Sequence, residues 1–439
     1  MKFYSREKEL TFLEKQYNQL DSAAKMTVLT GRRRIGKTSL GTKFANDKKH
    51  LYLFISKKSE KLLCKEFVDR IKINLDYPII GEITQFRDVF KLLLEIGKKE
   101  RIVIIIDEFQ EFYNINPSVF SDLQNLWDSY KFETKTQVIF IGSIYSLMHK
   151  IFQNSKEPLF GRADRILYLK PFSPKIIKEI LIDNKEYSPE NLLILYLITG
   201  GIPRYIEILV NNKILSEKLL IDFYFNESSP FIHEGKIILI EEFGKEYGTY
   251  FSILELISEG RTSRSEIESI LEKNIGGYLE KLEVDYDLIN KNRPVGAKPT
   301  GKIQKYHIKD NFLKFWFRFV QMNRSALENN NYEYLKKYLL INLPSYKGPI
   351  LENMYHEIFK ERSDFNIIGN YWERGNLNEI DLIAVNDLDK KMVIAEIKMN
   401  LEKAKINDLK SKSENLLKKY KNYDVQYLLL GMQNLADYI

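Results

Sequence analysis

The chain has 439 residues, too many for one ordinary core, and suggests about three domains; 44% apolar and 29% charged residues exclude a disordered or fibrous class. A formal charge of +7 permits contact with nucleic acid without requiring it, since a solvated lysine-rich surface accounts for it equally well. A single cysteine, Cys64, excludes an internal disulfide, the five histidines stand apart in no zinc pattern, and no apolar run reaches the ~20 residues of a membrane helix, so a cytoplasmic protein without membrane contact is expected.

In chain order, Arg6–Tyr17 sets Leu10, Leu13 and Tyr17 at helical spacing, with Ser5 available as N-cap. Met26–Thr30 then reads as a buried parallel strand running into Gly31-x-x-x-x-Gly36-Lys37-Thr38 and a helix, the phosphate-binding P-loop in its required context. Loop amides and the helix dipole favour a polyphosphate there. Gly31, Arg34, Ile35, Gly36, Lys37, Thr38 and Ser39 are the expected nucleotide-binding residues, with Lys37 on the β- and γ-phosphates and Thr38 on Mg²⁺.

Leu51–Ser56 reads as a second strand, followed by helices near Ser59–Ile73 and Ile83–Ile96. The run Ile102–Ile106 is all β-branched, as in a strand buried on both faces, and Asp107-Glu108 stand at its carboxyl end. That is where ligands bind in open α/β sheets. Asp107 is expected to hold Mg²⁺ through water and Glu108 to activate the attacking water. A third buried strand, Gln137–Ile141, ends in Gly142-Ser143; Ser143 is either a γ-phosphate sensor or part of a simple strand-ending turn. Arg162 and, second, Arg165 precede a strand at Ile166–Leu169 and are candidates to neutralise phosphoryl charge, a structural ion pair being the bland alternative.

From Lys175 to about Glu234 the pattern is helical, broken by Gly200-Gly201-Ile202-Pro203-Arg204, which ends one helix and starts another. The break suits a lid on the nucleotide, with Pro203 and Arg204 contributing, or a plain helix–helix turn. Tyr250–Phe319 reads as a winged helix-turn-helix: helices at Tyr250–Glu259, Ser263–Glu272 and Ile275–Glu283, then wing strands at Leu288–Lys291 and Ile303–Ile308. Lys291, Arg293, Lys298, Lys302 and Lys305 are placed to touch DNA phosphates, although such modules also serve in packing. Leu313–Met322 is an apolar-aromatic helix, and Glu328–Leu343 a helical linker toward Pro344 and Pro349, where the last boundary is expected.

Two apolar runs, Ile380–Val385 and Met392–Lys398, flank a polar turn. Symmetric closure between Leu388 and Asp389 puts Asp381 opposite Glu396, with Lys398 on the same face. A divalent cation on Asp381 and Glu396 activates water at a phosphate; Lys398 positions that water, and Glu352 on the preceding helix adds a ligand. This is the pattern of PD-(D/E)XK nucleases; a half-exposed hairpin with surface ion pairs is the alternative. A Lys-rich helix at Leu401–Tyr420 and a strand at Val425–Leu430 complete the domain.

The pieces REKEL, GRRRIGKTS, IIIDEFQ, IGS, PLFGR, GGIPRY, YHIKDNFLKFWFRFV and EIDLIAV…VIAEIK together resemble the archaeal-type ATPases of prokaryotes, relatives of the STAND and origin-recognition AAA+ groups. The resemblance implies a P-loop ATPase core (1–170), a helical lid (171–235), a winged helix (236–325), a helical linker (326–345) and a domain similar to restriction endonucleases (346–439). The fold class expected is therefore α/β, a P-loop parallel sheet followed by these modules. It also implies that the GGIP segment packs near adenine and that ATP is preferred to GTP. ATP, Mg²⁺, nucleic acid (DNA before RNA) and further copies of the chain are the expected cofactors and partners. An ATP switch controlling a nuclease is the leading expectation; a nucleotide-gated DNA-binding or scaffold protein with an idle nuclease fold, or a ring-forming remodeller, are the rivals.

Overall fold

The apolar runs assemble as strands β1 (Lys25–Thr30), β2 (His50–Phe54), β3 (Ile102–Asp107), β4 (Thr136–Ile141) and β5 (Arg165–Tyr168). All are parallel, in the order β2-β3-β4-β1-β5. The computed structural model describes residues 1–244, 247–298 and 304–439. Side chains alternate across the pleat, so Ile104 and Ile106 join Phe67, Phe90, Leu123 and Trp127 on one face while Val103 and Ile105 meet Leu13, Leu40 and Phe44 on the other. With both faces covered, β3 is buried at every position. Burying its five β-branched side chains contributes on the order of 10 kcal/mol of transfer free energy.

The helices flanking β2 and β3 are Glu60–Leu75 and Phe86–Lys99. Helices at Ser118–Tyr130 and Tyr145–Gln153 were not anticipated from the sequence pattern. The first helix is Glu7–Tyr17, and Ser5 is not its cap: Ser5 and Arg6 both take positive φ, 58° and 80°, and no side chain caps the helix. The left-handed turn instead drives the Arg6 guanidinium inward. These elements form one unit, Ser5–Lys170; Met1–Tyr4 and Pro171–Ile439 form the other.

In the second unit, helices Pro174–Asp183, Pro189–Thr199 and Pro203–Asn211 each open on proline, which needs no N–H partner there. Pro189–Thr199 is buried continuously from Leu192 to Thr199 and serves as the hub of this core. Helices Tyr247–Ser258, Arg264–Leu271 and Gly276–Val284 follow, and the Ser263 hydroxyl caps the second by accepting from Glu266 N at 3.3 Å. β6 (Ile289–Asn292) then pairs antiparallel with β7 (Lys305–Ile308). Ile303, expected to open the second wing strand, and Lys302, expected to touch DNA phosphate, lie outside the described residues. The aromatic segment is helical from Asn311 to Phe315 and widens into a π-turn at Trp316–Val320, where the Trp316 indole donates to Ile232 O at 2.6 Å.

One 30-residue helix, Tyr332–Glu361, runs straight through Pro344 and Pro349, so the linker does not end where the prolines suggest. Each proline removes one helical bond. Burial of Leu339, Leu343, Ile350, Leu351, Met354 and Tyr355 along the same helix outweighs that loss. Beyond it, β8 (Ile367–Tyr371), β9 (Ile380–Asn386), β10 (Lys391–Ile397) and β11 (Asp424–Leu430) form a sheet in the order β11-β10-β9-β8. β10–β11 is parallel and the other pairs are antiparallel. The connecting helix is Ile406–Leu417, shorter at both ends than its Lys-rich sequence suggests, because Leu409 and Leu416 are the buried anchors that fix it on the sheet. Among the described residues, no helix is long and apolar enough to cross a membrane.

Candidate functional site

The loop after β1 needs unusual backbone. Gly31 has φ +134° and Gly36 +90°, and a Cβ on Gly31 would stand 2.6 Å from Leu169 O. Arg34 accepts φ +65° at the same bend. Lys37 is buried, and its ammonium donates to Gly31 O and Arg32 O, both at 2.9 Å, so it lies curled over the loop that the phosphates would enter. Thr38 Oγ1 donates to Asp107 Oδ2 at 2.6 Å, bringing the two expected Mg²⁺ residues together. A hydroxyl and one carboxylate fit Mg²⁺, which keeps several waters beside one or two protein oxygens. Ile35 points into the core under the loop, while Ser39 is exposed on the first turn of the helix.

Glu108 stands at φ +55°, which turns its carboxylate along the strand edge. Its Oε2 accepts from Ser143 Oγ at 2.7 Å and from the Gln110 amide. Ser143 therefore belongs to the Glu108 cluster. Three contributors escaped the sequence reading. Tyr52 OH donates to Asp107 Oδ2 at 2.8 Å, and burial, then the Asp107 charge, push its pKa up. Gln110 was visible as the last letter of DEFQ. Arg6, 8% exposed, donates to Ile35 O at 3.3 Å and Lys170 O at 2.7 Å, tying the phosphate loop to the end of the sheet.

Arg162 pairs with Asp128 at 3.0 Å and donates to Phe160 O, the bland ion pair. Arg165 lies 5.8 Å from the Phe12 ring. Pro203 and Arg204 open a helix of the second unit, where Arg204 pairs with Glu207 at 2.7 Å. The glycines before them serve close packing in that unit: a Cβ on Gly201 would meet Phe172 O at 2.2 Å, and one on Gly200 would meet Phe312 N at 2.9 Å.

In the C-terminal sheet the register pairs Ala395 with Leu382 and Met392 with Val385, so the next step sets Glu396 opposite Asp381. Asp381 Oδ2 accepts from Ile397 N at 2.8 Å and from Lys398 Nζ at 2.9 Å, and Lys398 reaches Glu396 Oε1 at 3.1 Å. Burial opposes the Lys398 charge, but the two carboxylates more than offset it and raise its pKa. Burial raises Asp381. Glu352 is pushed up to about 8, by burial first and then by the Asp381 charge. It neighbours the pair, yet among the described residues no three His, Cys, Asp or Glu side chains gather as a metal cluster. Lys412, unread from the sequence, donates to Glu396 Oε1 and Oε2 at 3.0 and 3.1 Å. Two buried carboxylates are thus bridged by the Lys398 ammonium, with a second ammonium, that of Lys412, on Glu396.

The segment about the β6–β7 hairpin bonds to the C-terminal domain. Val295 N donates to Asn370 O at 2.9 Å, Lys419 Nζ to Gly296 O at 2.8 Å, and Lys305 pairs with Glu379 at 3.2 Å over the Trp372 ring. Lys305, expected to touch DNA phosphate, is thus paired with Glu379, the residue before β9.

Comparison with known proteins gives two family matches, the first of which runs past Lys170 into the second unit. A family model described as an ATPase domain predominantly from Archaea matches residues 3–209, and one described as archaeal and bacterial proteins of unknown function matches residues 316–409. An uncharacterized protein of Methanocaldococcus jannaschii is 30% identical over 452 aligned positions, covering 98% of this chain and 95% of that protein. An uncharacterized ATP-binding protein of the same organism is 47% identical over 47 residues, 11% of this chain and 76% of its own length. Among solved structures, the Walker-type ATPase of Pyrococcus abyssi shares the fold with a TM-score of 0.54 at 19% identity, over 72% of this chain and 96% of that one.

Proposed function

Because the chain belongs to the family of archaeal-type ATPases, we propose that it is an ATP-hydrolysing switch that controls a metal-dependent nuclease carried by its C-terminal sheet. The observation that carries the second half is the meeting of Asp381, Glu396 and Lys398 at 2.9 and 3.1 Å on buried strand ends. Surface ion pairs do not require a hairpin buried on both faces.

In the ATPase unit, the loop amides and Lys37 bind the phosphates once the ammonium leaves the carbonyls of Gly31 and Arg32. Thr38 and Asp107 hold Mg²⁺. Glu108 Oε2 takes a proton from the attacking water, with Ser143 and Gln110 orienting it. Pro203 and Arg204 contribute to nucleotide binding, and Arg162 is the residue available to neutralise the γ-phosphate if it leaves Asp128. At the C-terminal site, Mg²⁺ held by Asp381 and Glu396 would polarise a phosphodiester and lower the pKa of bound water. Lys398 orients that water and meets developing charge on the phosphate. The three helices and β6–β7 hairpin form the winged helix, a DNA-facing or coupling module, and DNA is the favoured substrate.

A second reading has its own support: with Lys412 on both oxygens of Glu396, the site is neutralised by lysines, as in an idle fold within a nucleotide-gated scaffold. Incubating supercoiled DNA, single-stranded DNA and RNA with Mg²⁺ or Mn²⁺ decides between them. The nuclease reading expects cutting that vanishes in Asp381→Ala; cutting that persists in that variant would sink the site assignment, and no cutting of any substrate favours the idle fold.

A further inference from the structure

Lys412 pairs a buried carboxylate from a helix position that packing would ordinarily give to an apolar residue. Its helix is held on the sheet by Leu409 and Leu416, three residues before it and four after, so position 412 lies on the sheet-facing side where an apolar residue would normally be used. Its ammonium instead spans both oxygens of Glu396, a carboxylate only 8% exposed, while Lys398 bridges Glu396 to Asp381. Two carboxylates and two ammoniums cancel. A divalent cation entering between Asp381 and Glu396 adds two positive charges within a few ångströms of both lysines. One lysine must yield.

Lys398 leaves the strand two residues after Glu396 and holds two carboxylates, whereas Lys412 holds one and comes from another element, the two side chains being similarly exposed. Lys412 is therefore the group free to move. Resting on the nuclease reading above, we propose that Lys412 is a positioning residue with two stations: it stands in for the metal on Glu396 in the metal-free protein, and on metal entry it swings to a phosphate of the nucleic acid at the mouth of the site. The first station weakens metal binding. The second strengthens binding of the polyanion once metal is present.

The test is Mn²⁺ binding by calorimetry to the full chain, followed by duplex DNA binding in Ca²⁺ across a salt series, for wild type, Lys412→Met, Lys412→Arg and Asp381→Ala. Lys418→Met on the same helix is the control, since Lys418 bonds only to Asn415 among the contacts described. Thermal melts confirm that each variant is folded. Lys412→Met is expected to bind Mn²⁺ about fivefold more tightly, the effect of losing one partly exposed ion pair. It is also expected to bind DNA more weakly, with the salt slope reduced by about one, while Lys412→Arg and Lys418→Met stay near wild type. Mn²⁺ binding that appears only in Lys412→Met, and that a second Asp381→Ala change abolishes, also supports the gate. If wild type binds Mn²⁺ through Asp381 and Lys412→Met binds it no better, the proposal is overturned while the metal site stands. If neither protein binds Mn²⁺ in an Asp381-dependent way, both fall.

Discussion

Truncating Arg6 should damage a phosphate loop that begins 25 residues later in the chain. Arg6→Ala removes donors to Lys170 O at 2.7 Å and Ile35 O at 3.3 Å and leaves both carbonyls without that partner in a site that is 8% exposed in the arginine itself. Hydrogen bonds from a charged group contribute ~1.5–3 kcal/mol each, the longer of these at the low end or below. The Glu9 ion pair, 3.6 Å and partly exposed, adds under about 1 kcal/mol. Burial lowers the Arg6 pKa, so part of the gain is offset by desolvation. About 3 kcal/mol remains. For a unit of this size that corresponds to a fall in Tm of about 6–12 °C. Because Ile35 immediately precedes Gly36-Lys37, the loosened loop should also bind ATP about tenfold more weakly, or ~1.4 kcal/mol. Scanning fluorimetry and titration with a fluorescent ATP analogue read both quantities. A Tm within about 2 °C of wild type together with unchanged ATP affinity would refute the role given to Arg6.

Glu108→Gln should keep ATP affinity and lower hydrolysis by about 10²–10⁴-fold, the range for a lost general base; equal loss of binding and turnover in a phosphate-release assay would contradict it. Gly201→Ala, at φ +75° and with its Cβ 2.2 Å from Phe172 O, should cost ~2–4 kcal/mol by straining the turn and disturbing the Phe172 N to Gly201 O bond; a melt matching wild type would oppose this. Glu352 is protonated in the folded protein up to about pH 8 and ionises near 4.5 when unfolded, so its contribution to stability is present below pH 4.5 and lost as pH rises toward 8. Glu352→Gln should therefore flatten the decline of Tm between pH 5 and 8, and an unchanged slope would argue against the buried neutral acid.

What the sequence made legible was local. Ile102–Ile106 announces a strand covered on both faces, and Gly31, Gly36 and Lys37 follow at fixed spacing directly after the strand Met26–Thr30. The Asp381–Glu396 juxtaposition was readable because a tight polar turn fixes the register of a hairpin, and the pairing of Ala395 with Leu382 follows that symmetry. What stayed hidden depends on contacts between elements distant in sequence. Arg6 looks like the start of a surface helix until Lys170 O is brought beside it. Tyr52 looks like a strand residue until β2 pairs with β3 and delivers Asp107. Pro344 and Pro349 look like breaks because local propensity cannot see the core that buries Leu343, Ile350 and Leu351. Lys305 looks free until Glu379 and Trp372 are brought beside it. Gln110, in the DEFQ run, and Lys412, a lysine on the same helical face as Leu409 and Leu416, did leave a usable signal.

The coupling of the two sites is tested most directly by cleavage of supercoiled DNA in Mn²⁺, with and without ATP, by wild type, Lys37→Ala and Asp381→Ala. A nucleotide-controlled nuclease predicts cutting that ATP changes in wild type, that no longer responds to ATP in Lys37→Ala, and that is absent in Asp381→Ala. Cutting by wild type that is indifferent to ATP and to Lys37→Ala, or that survives Asp381→Ala, would contradict it.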